Sequence, residues 1–157
     1  LMELKELPRK LVIIGAGYIG LEFASTYAGF GSEVVIIDAS DDILKREEKE
    51  AADRVKKILE AKGVTFYLNS KVEEIFDDEN DSSIAISNGN GEIIQFNGDK
   101  ILVAIGRKAN TQGLELEKAG VQVDERGNII VNEKLETTAP NIWALGDVKG
   151  GLQFTYI

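Results

Sequence analysis

The chain contains no cysteine and no histidine among its 157 residues. These two absences exclude a disulfide framework, a thiol nucleophile and any zinc site built on thiolate or imidazole ligands. The missing imidazole also removes the side chain that most often acts as a general base. We therefore expect no metal site of this kind. A composition without cysteine is compatible with a reducing compartment.

Other absences limit the partners and the location of the protein. No apolar run approaches the ~20 residues that a membrane-spanning helix needs, and the N-terminal stretch is too charged for a signal peptide. The formal net charge of −9 argues against nucleic acid and anionic membranes as partners, because both require a basic face. We expect a cytoplasmic protein, and its 43% of hydrophobic residues is enough to fill one core.

The most informative segment has the pattern of a strand, a glycine-rich turn, a helix and a second strand. An unbroken apolar run at 11–14 precedes Gly15, which permits a sharp turn out of the strand. Gly17 would let a pyrophosphate approach the backbone, and Gly20 would let the helix pack close to the sheet. The second strand ends at Asp38, 18 positions after Gly20, where a carboxylate can accept hydrogen bonds from a ribose diol. This spacing predicts a dinucleotide site at the helix N-terminus.

Charge after the second strand predicts which dinucleotide is preferred. Asp38 would repel a 2′-phosphate, whose binding usually needs an arginine or a lysine nearby. The first cations after Asp38 are Lys45 and Arg46, and two aspartates come before them. We therefore expect NAD rather than NADP. A glycine turn in some other α/β fold is the alternative interpretation of the whole segment.

Hydrophobic periodicity and turn residues predict an α/β fold with a Rossmann-like parallel sheet and an inserted three-stranded antiparallel β-meander at 71–97. Residues 1–8 are expected to form a linker. Trp143 is expected in the core, on a buried strand. The expected strands are 10–14, 33–38, 64–68, 72–76, 83–87, 92–96, 100–105, 121–124, 129–131 and 141–145, and the expected helices are 18–30, 47–62 and 114–119.

The spacing Tyr-x-x-x-Lys at 67–71 is that of the catalytic pair in short-chain dehydrogenases. There both residues lie on one helix face. Here Tyr67 ends a predicted strand and Lys71 follows a turn, so we do not expect a catalytic pair.

Three motifs occur in a distinctive order along the chain. They are Gly-Ala-Gly-Tyr-Ile-Gly-Leu-Glu at 15–22, Ala-Ile-Gly-Arg at 104–107 with Asn110 close behind, and Ala-Leu-Gly-Asp at 144–147. In this order they resemble the flavin-dependent pyridine nucleotide–disulfide oxidoreductases, the family of lipoamide dehydrogenase, glutathione reductase and mercuric reductase. The resemblance implies the family's NAD(P)H-binding domain at 9–135. It also implies that 136–157 begin the return to an FAD domain outside this chain.

The resemblance assigns roles to individual residues. Asp38 would hold the adenosine ribose, Val72 would contact the adenine end, and Asp147 would bind the ribityl chain of FAD. Tyr18 matches a lid over the flavin in some members, and Glu22 matches a glutamate that approaches a lysine near the flavin. Alternatively, Tyr18 and Glu22 are ordinary surface residues and Asp147 caps a helix. The remaining implied cofactor-binding positions, along the pyrophosphate and beside the nicotinamide half, are Gly15, Ala16, Gly17, Ile19, Gly20, Gly106 and Arg107, of which Arg107 could also be a plain surface cation.

The implied function is transfer of hydride from NADH to FAD and onward to a disulfide or another acceptor, with the cofactors carrying the chemistry. The family's redox cysteines lie upstream and its proton-handling histidine downstream, which agrees with the composition of this chain. We therefore expect no catalytic residue here, and weak NADH binding without turnover. The family's homodimer contact also lies in a further domain, so we expect the chain alone to be monomeric.

Two other functions stay open at this point. One is a stand-alone NAD-binding or sensing module without flavin. The other is a flavoenzyme of the NADH oxidase or ferredoxin reductase type, whose acceptor is not a disulfide. The end of the sequence, 146–157, departs from the lipoamide dehydrogenase pattern and resembles a less characterised bacterial branch of the family.

Overall fold

The computed structural model describes residues 1, 3–77, 82–151 and 153. The chain divides into two compact units, Leu1–Ile105 and Gly106–Ile157. Helices and longer strands belong to the first unit and are, in chain order, β1 (Lys10–Ile14), α1 (Tyr18–Phe30), β2 (Glu33–Ile37), α2 (Lys49–Ala61), β3 (Thr65–Tyr67), β4 (Lys71–Asp77), β5 (Ser82–Ser87), β6 (Ile93–Gly98) and β7 (Lys100–Val103).

Four strands form a parallel sheet in the order β3-β2-β1-β7. β1 lies between two neighbours, and its residues from Leu11 to Ile14 are all buried. Burial of successive positions requires cover on both faces, which explains the unbroken apolar run. The predicted Rossmann-like sheet is confirmed, and the ends of its strands and helices differ from the expected ones by at most two residues.

The antiparallel meander β4-β5-β6 covers one face of this sheet. Successive side chains of a strand point to opposite faces. Leu11 and Ile13 accordingly pack in a cluster with residues of α1 and α2, whereas Val12 packs with Ile84 and Ile86 of β5. The predicted meander is therefore confirmed, and it takes the place that a helix would have in a regular βαβ fold. A polar turn is expected from the sequence at 77–81, and its residues 78–81 lie outside the described residues.

The second unit has little regular structure in its described part. Its expected strands at 121–124, 129–131 and 141–145 reduce to single bridges, and two 3₁₀ turns lie at Leu116–Ala119 and Gly146–Lys149. Asp124 explains one interruption, since its carboxylate accepts from the backbone N–H groups of Arg126 and Asn128 and forms a tight turn.

The prediction for Trp143 was wrong. Its side chain is 55% exposed and its backbone forms a single bridge with Glu136. The buried cluster of this unit is instead built from small and β-branched residues, namely Val121, Ile129, Ala139 and Ala144. A single bridge leaves a large ring without the neighbouring strands that would cover it.

No helix within the described ranges is both long and apolar enough to cross a bilayer.

Candidate functional site

The glycine-rich turn between β1 and α1 depends on two close backbone contacts. Gly15 has φ +111°, and a Cβ atom there would lie 2.4 Å from the carbonyl oxygen of Ala104. A Cβ on Gly20 would lie 2.1 Å from the carbonyl oxygen of Gly15. Only glycine fits either position, because the neighbouring atoms are backbone and cannot rotate away. These contacts bring the start of α1 against the carboxyl end of β1.

Gly17 lies at the same turn but faces open space. It is the N-cap of α1, and no atom within 4 Å would meet a Cβ built on it. The first helical bond of the turn runs from the Leu21 N–H to the Gly17 carbonyl. Amide groups before that bond have no intrahelical acceptor and carry the positive end of the helix dipole. The first turn of α1 contains no acidic side chain, so no side chain of that turn repels an anionic group that approaches these amides.

Asp38, directly after β2, is hydrogen-bonded to the glycine-rich turn. Its Oδ2 accepts a hydrogen bond of 2.7 Å from the Ala16 N–H, and its Oδ1 accepts one of 2.7 Å from the Ser40 N–H. Each carboxylate oxygen has a second lone pair, which leaves acceptor capacity for the hydroxyls of a ribose. The contact with Ala16 was not predicted, since nothing in the spacing of 22 residues indicates it.

The segment after Asp38 folds back towards the same turn. The Leu44 N–H donates to the Ala16 carbonyl at 3.2 Å, so both polar groups of the Ala16 peptide are fixed by residues following β2. Next to Leu44, the Lys45 ammonium lies 2.6 Å from the Asp41 carboxylate. This hydrogen bond and the charge of Asp41 raise the pKa of Lys45, and the charge of Asp38 acts in the same direction.

Tyr18 and Glu22, on the first turns of α1, line a groove of about 280 Å³ between α1 and α2. The Tyr18 hydroxyl donates to Oε1 of Glu47 in the segment before α2. Tyr18 and the next residue, Ile19, are each about 40% exposed, at 38% and 41%. A lid function for Tyr18 and a lysine contact for Glu22 remain predictions.

Val72 is part of the packing between the meander and the parallel sheet. It pairs with Ile86 of β5 and contacts the buried cluster that contains Val12. Its side chain is half-buried, so one part of it remains accessible. The expected contact with an adenine ring stays a prediction.

In the second unit, two predicted residues meet. The Arg107 guanidinium donates to the Asp147 carboxylate at 2.6 Å, and both side chains are about half exposed. They line a cavity of about 460 Å³ together with Asn110. Gly106, just before them, has φ +124°, a conformation that favours glycine. The sequence predicted these residues singly, and their ion pair is a finding of the structure.

Comparison with known proteins decides the family. Residues 1–157 match the family described as pyridine nucleotide-disulphide oxidoreductase. The chain belongs to this family. It is 49% identical over 157 residues to the probable pyridine nucleotide-disulfide oxidoreductase RclA of Escherichia coli (strain K12), and 38% identical over 150 residues to a dihydrolipoyl dehydrogenase of Geobacillus stearothermophilus. A solved structure, the Cu(II) complex of HOCl-induced flavoprotein disulfide reductase RclA from Escherichia coli, matches with a TM-score of 0.89 at 48% identity.

The three matches cover 100%, 96% and 99% of this chain but 34%, 32% and 34% of the relatives. The chain thus spans about a third of the length of these members of the pyridine nucleotide–disulphide oxidoreductase family. The resemblance drawn from the three motifs is confirmed. The chain is more similar to RclA than to the dihydrolipoyl dehydrogenase, which agrees with the departure of its sequence at 146–157 from the lipoamide dehydrogenase pattern. Of this segment, 152 and 154–157 lie outside the described residues.

The two residues of the Tyr-x-x-x-Lys spacing do not lie on one helix face. Tyr67 is on β3 of the parallel sheet, whereas Lys71 begins β4 of the meander and pairs with Ser87. The Tyr67 ring packs edge-on against Phe96, with ring centroids 4.7 Å apart. This tyrosine therefore joins the sheet to the meander.

Proposed function

We propose that the chain is the NAD(H)-binding part of a flavoprotein oxidoreductase in which hydride passes from NADH to FAD and on to a disulfide or another acceptor. The NAD-binding domain would extend over 9–135, and 136–157 would begin the return to the FAD domain. The proposal includes a cytoplasmic location and a homodimeric full-length protein. Family membership and the geometry of the glycine-rich turn support it.

One observation carries the proposal for the dinucleotide. The Asp38 carboxylate is fixed by the Ala16 N–H immediately beside the open N-terminus of α1 at Gly17. A carboxylate that accepts hydroxyl hydrogen bonds and a row of amides that receives phosphates are thereby adjacent. This is the pair of groups that the ribose and the pyrophosphate of a dinucleotide require.

Each group of the site has a separate task in this proposal. The amides from Gly17 onwards hold and orient the pyrophosphate, and Asp38 accepts hydrogen bonds from the ribose hydroxyls. The same carboxylate disfavours a 2′-phosphate, which makes NADH preferred over NADPH. The bound cofactors supply the hydride chemistry, and the protein contributes orientation and electrostatics.

The ion pair of Arg107 and Asp147 fits the proposed contact with FAD. A half-exposed carboxylate held by a guanidinium can accept a hydroxyl hydrogen bond without losing its charge. The chain contains no cysteine, so a redox-active disulfide would have to lie outside it. We therefore propose that the chain by itself binds NADH and does not turn over.

Calorimetric titration of the protein with NADH and with NADPH tests the dinucleotide assignment. We expect tighter binding of NADH, and a loss of about tenfold in NADH affinity for Asp38→Ala, because a charge-assisted hydrogen bond is removed. Asp38→Asn is the matched control for charge, since it keeps an acceptor oxygen and should weaken the preference against NADPH. Tighter binding of NADPH than of NADH by the unmodified protein would contradict the assignment.

The electron acceptor is tested by different observations. A Cys-x4-Cys pair upstream of Leu1 and a His-x4-Glu pair downstream of Ile157 in the full-length sequence would support a disulfide acceptor. Their absence would favour the NADH oxidase or ferredoxin reductase type. Flavin absorbance of the full-length protein would exclude a flavin-free sensor.

A further inference from the structure

The segment between β2 and α2 carries a cation close to the proposed ribose site. No cationic residue occurs between Asp38 and Lys45. The hydrogen bond from the Leu44 N–H to the Ala16 carbonyl places the backbone next to Lys45 against the glycine-rich turn. Lys45 is therefore the first lysine or arginine after Asp38, and it lies where the chain returns to the dinucleotide loop.

The Lys45 ammonium already forms an ion pair in this structure. It lies 2.6 Å from the carboxylate of Asp41, which is four positions earlier in the sequence. Asp41 raises the pKa of Lys45, and Asp38 and Asp42 contribute through their charges. Lys45 in turn lowers the pKa of Asp41, so both partners stay ionised at neutral pH. Because the Asp41 carboxylate lies against the Lys45 ammonium, the pair offers little net positive potential to another anion.

We propose that Asp41 is a specificity-determining residue that keeps Lys45 from binding the 2′-phosphate of NADPH. This inference rests on the proposed binding of a dinucleotide beside Asp38 and goes beyond it, because it assigns part of the selectivity to a residue that need not touch NADH. Asp38 would act by direct repulsion. Asp41 would act by forming an ion pair with Lys45, the one lysine of the 39–46 segment.

Because Asp41 is exposed, its effect on dinucleotide binding can be measured without a large change in the stability of the fold. The side chains of Lys45 and Asp41 are 54% and 68% exposed, and such a pair contributes little to stability. Removing the carboxylate should therefore release the lysine without disturbing the loop. A released ammonium is a strong partner for a phosphate group, which Lys binds as a point charge.

The test compares NADH and NADPH dissociation constants, by calorimetry, for the protein and its Asp41→Asn variant. We expect Asp41→Asn to bind NADPH about tenfold more tightly than the unmodified protein does, with NADH binding unchanged within about twofold. Asp53→Asn is the matched control, because Asp53 also pairs with a lysine four positions away, at 3.1 Å, and loses the same charge. Circular dichroism and thermal melting check that each variant is folded.

A double variant identifies the cation. In Asp41→Asn combined with Lys45→Gln, the gain for NADPH should disappear. A gain that persisted would assign the effect to Arg46, which is exposed and for which the described part of the chain shows no ion pair, and would overturn the inference.

The remaining outcomes distinguish a failure of the role of Asp41 from a failure of the proposed function. If the unmodified protein binds NADH but Asp41→Asn leaves NADPH binding unchanged, or Asp53→Asn gives the same gain, the role of Asp41 is refuted and the proposed function stands. If the unmodified protein binds neither dinucleotide, the proposed function fails and this inference fails with it.

Discussion

The close approach of α1 to the glycine-rich turn makes Gly20→Ala the most informative single substitution for the fold of the site. The new Cβ atom would lie 2.1 Å from the carbonyl oxygen of Gly15, although real Cβ contacts are essentially never below 3.0 Å. The helix or the turn must therefore separate by about 1 Å, because neither group is a flexible side chain.

The expected cost follows from two opposing terms. Overpacking against a rigid neighbour costs about 1–3 kcal/mol, and a backbone contact belongs to the upper part of that range. Alanine has a higher helix propensity than glycine, which stabilises the folded protein by about 1 kcal/mol. We expect a net loss of about 1–2 kcal/mol, measured as the change in unfolding free energy by urea titration and circular dichroism.

Gly29→Ala is the matched control in the same helix. Gly29 is exposed, and no atom within 4 Å would meet its Cβ. This variant should gain about 0.5–1 kcal/mol, since only the propensity term remains. If Gly20→Ala were as stable as Gly29→Ala, the contact between α1 and the Gly15 carbonyl would not be the constraint described above.

Three further predictions concern binding, acid stability and the core. Gly17→Ala should keep the fold, because open space surrounds the position, but should weaken NADH binding about tenfold in a calorimetric titration by obstructing the pyrophosphate. The Lys10 N–H donates to Asp99 and lowers the pKa of that carboxyl, so its stabilisation is present above about pH 4 and lost as the pH falls through the folded-state pKa. In the Asp99→Asn variant, the free energy of unfolding should accordingly decrease less as the pH is lowered. The same dependence of this free energy on pH in both proteins would refute the prediction. Ile84→Ala removes a fully buried side chain and should lower the free energy of unfolding, measured by urea titration, by about 2–5 kcal/mol. Ile93 is 65% exposed, so the control Ile93→Ala should lower it by less than about 1 kcal/mol. Equal losses in the two variants would contradict the described packing.

The parallel sheet could be predicted because burial on both faces leaves a direct trace in the sequence. The unbroken apolar runs of β1 and β2 are that trace, and the Asn-Gly turn marks the hairpin of the meander. The second unit left no comparable trace. Its apolar segments are short, and side chains such as Asp124 hydrogen-bond to nearby backbone N–H groups and stop the pairing after one bridge.

Contacts between distant residues were beyond prediction from the sequence. Asp38 was expected near a ribose, but its hydrogen bond to the Ala16 N–H depends on how the end of β2 lies beside the turn after β1. The pairing of Arg107 with Asp147 crosses 40 positions. Local spacing gives the residue types of such a site, whereas the partners are set by the packing of whole elements.

The central claim is that the amides at the start of α1 receive the pyrophosphate of a dinucleotide. The most direct measurement is a titration of the ¹⁵N-labelled protein with NADH, followed by two-dimensional ¹H–¹⁵N NMR. We predict that the largest shifts fall on the amides of Gly17, Tyr18, Ile19 and Gly20, with Ser40 affected next through Asp38. Shifts confined to other parts of the chain, or none at saturating NADH, would contradict the claim.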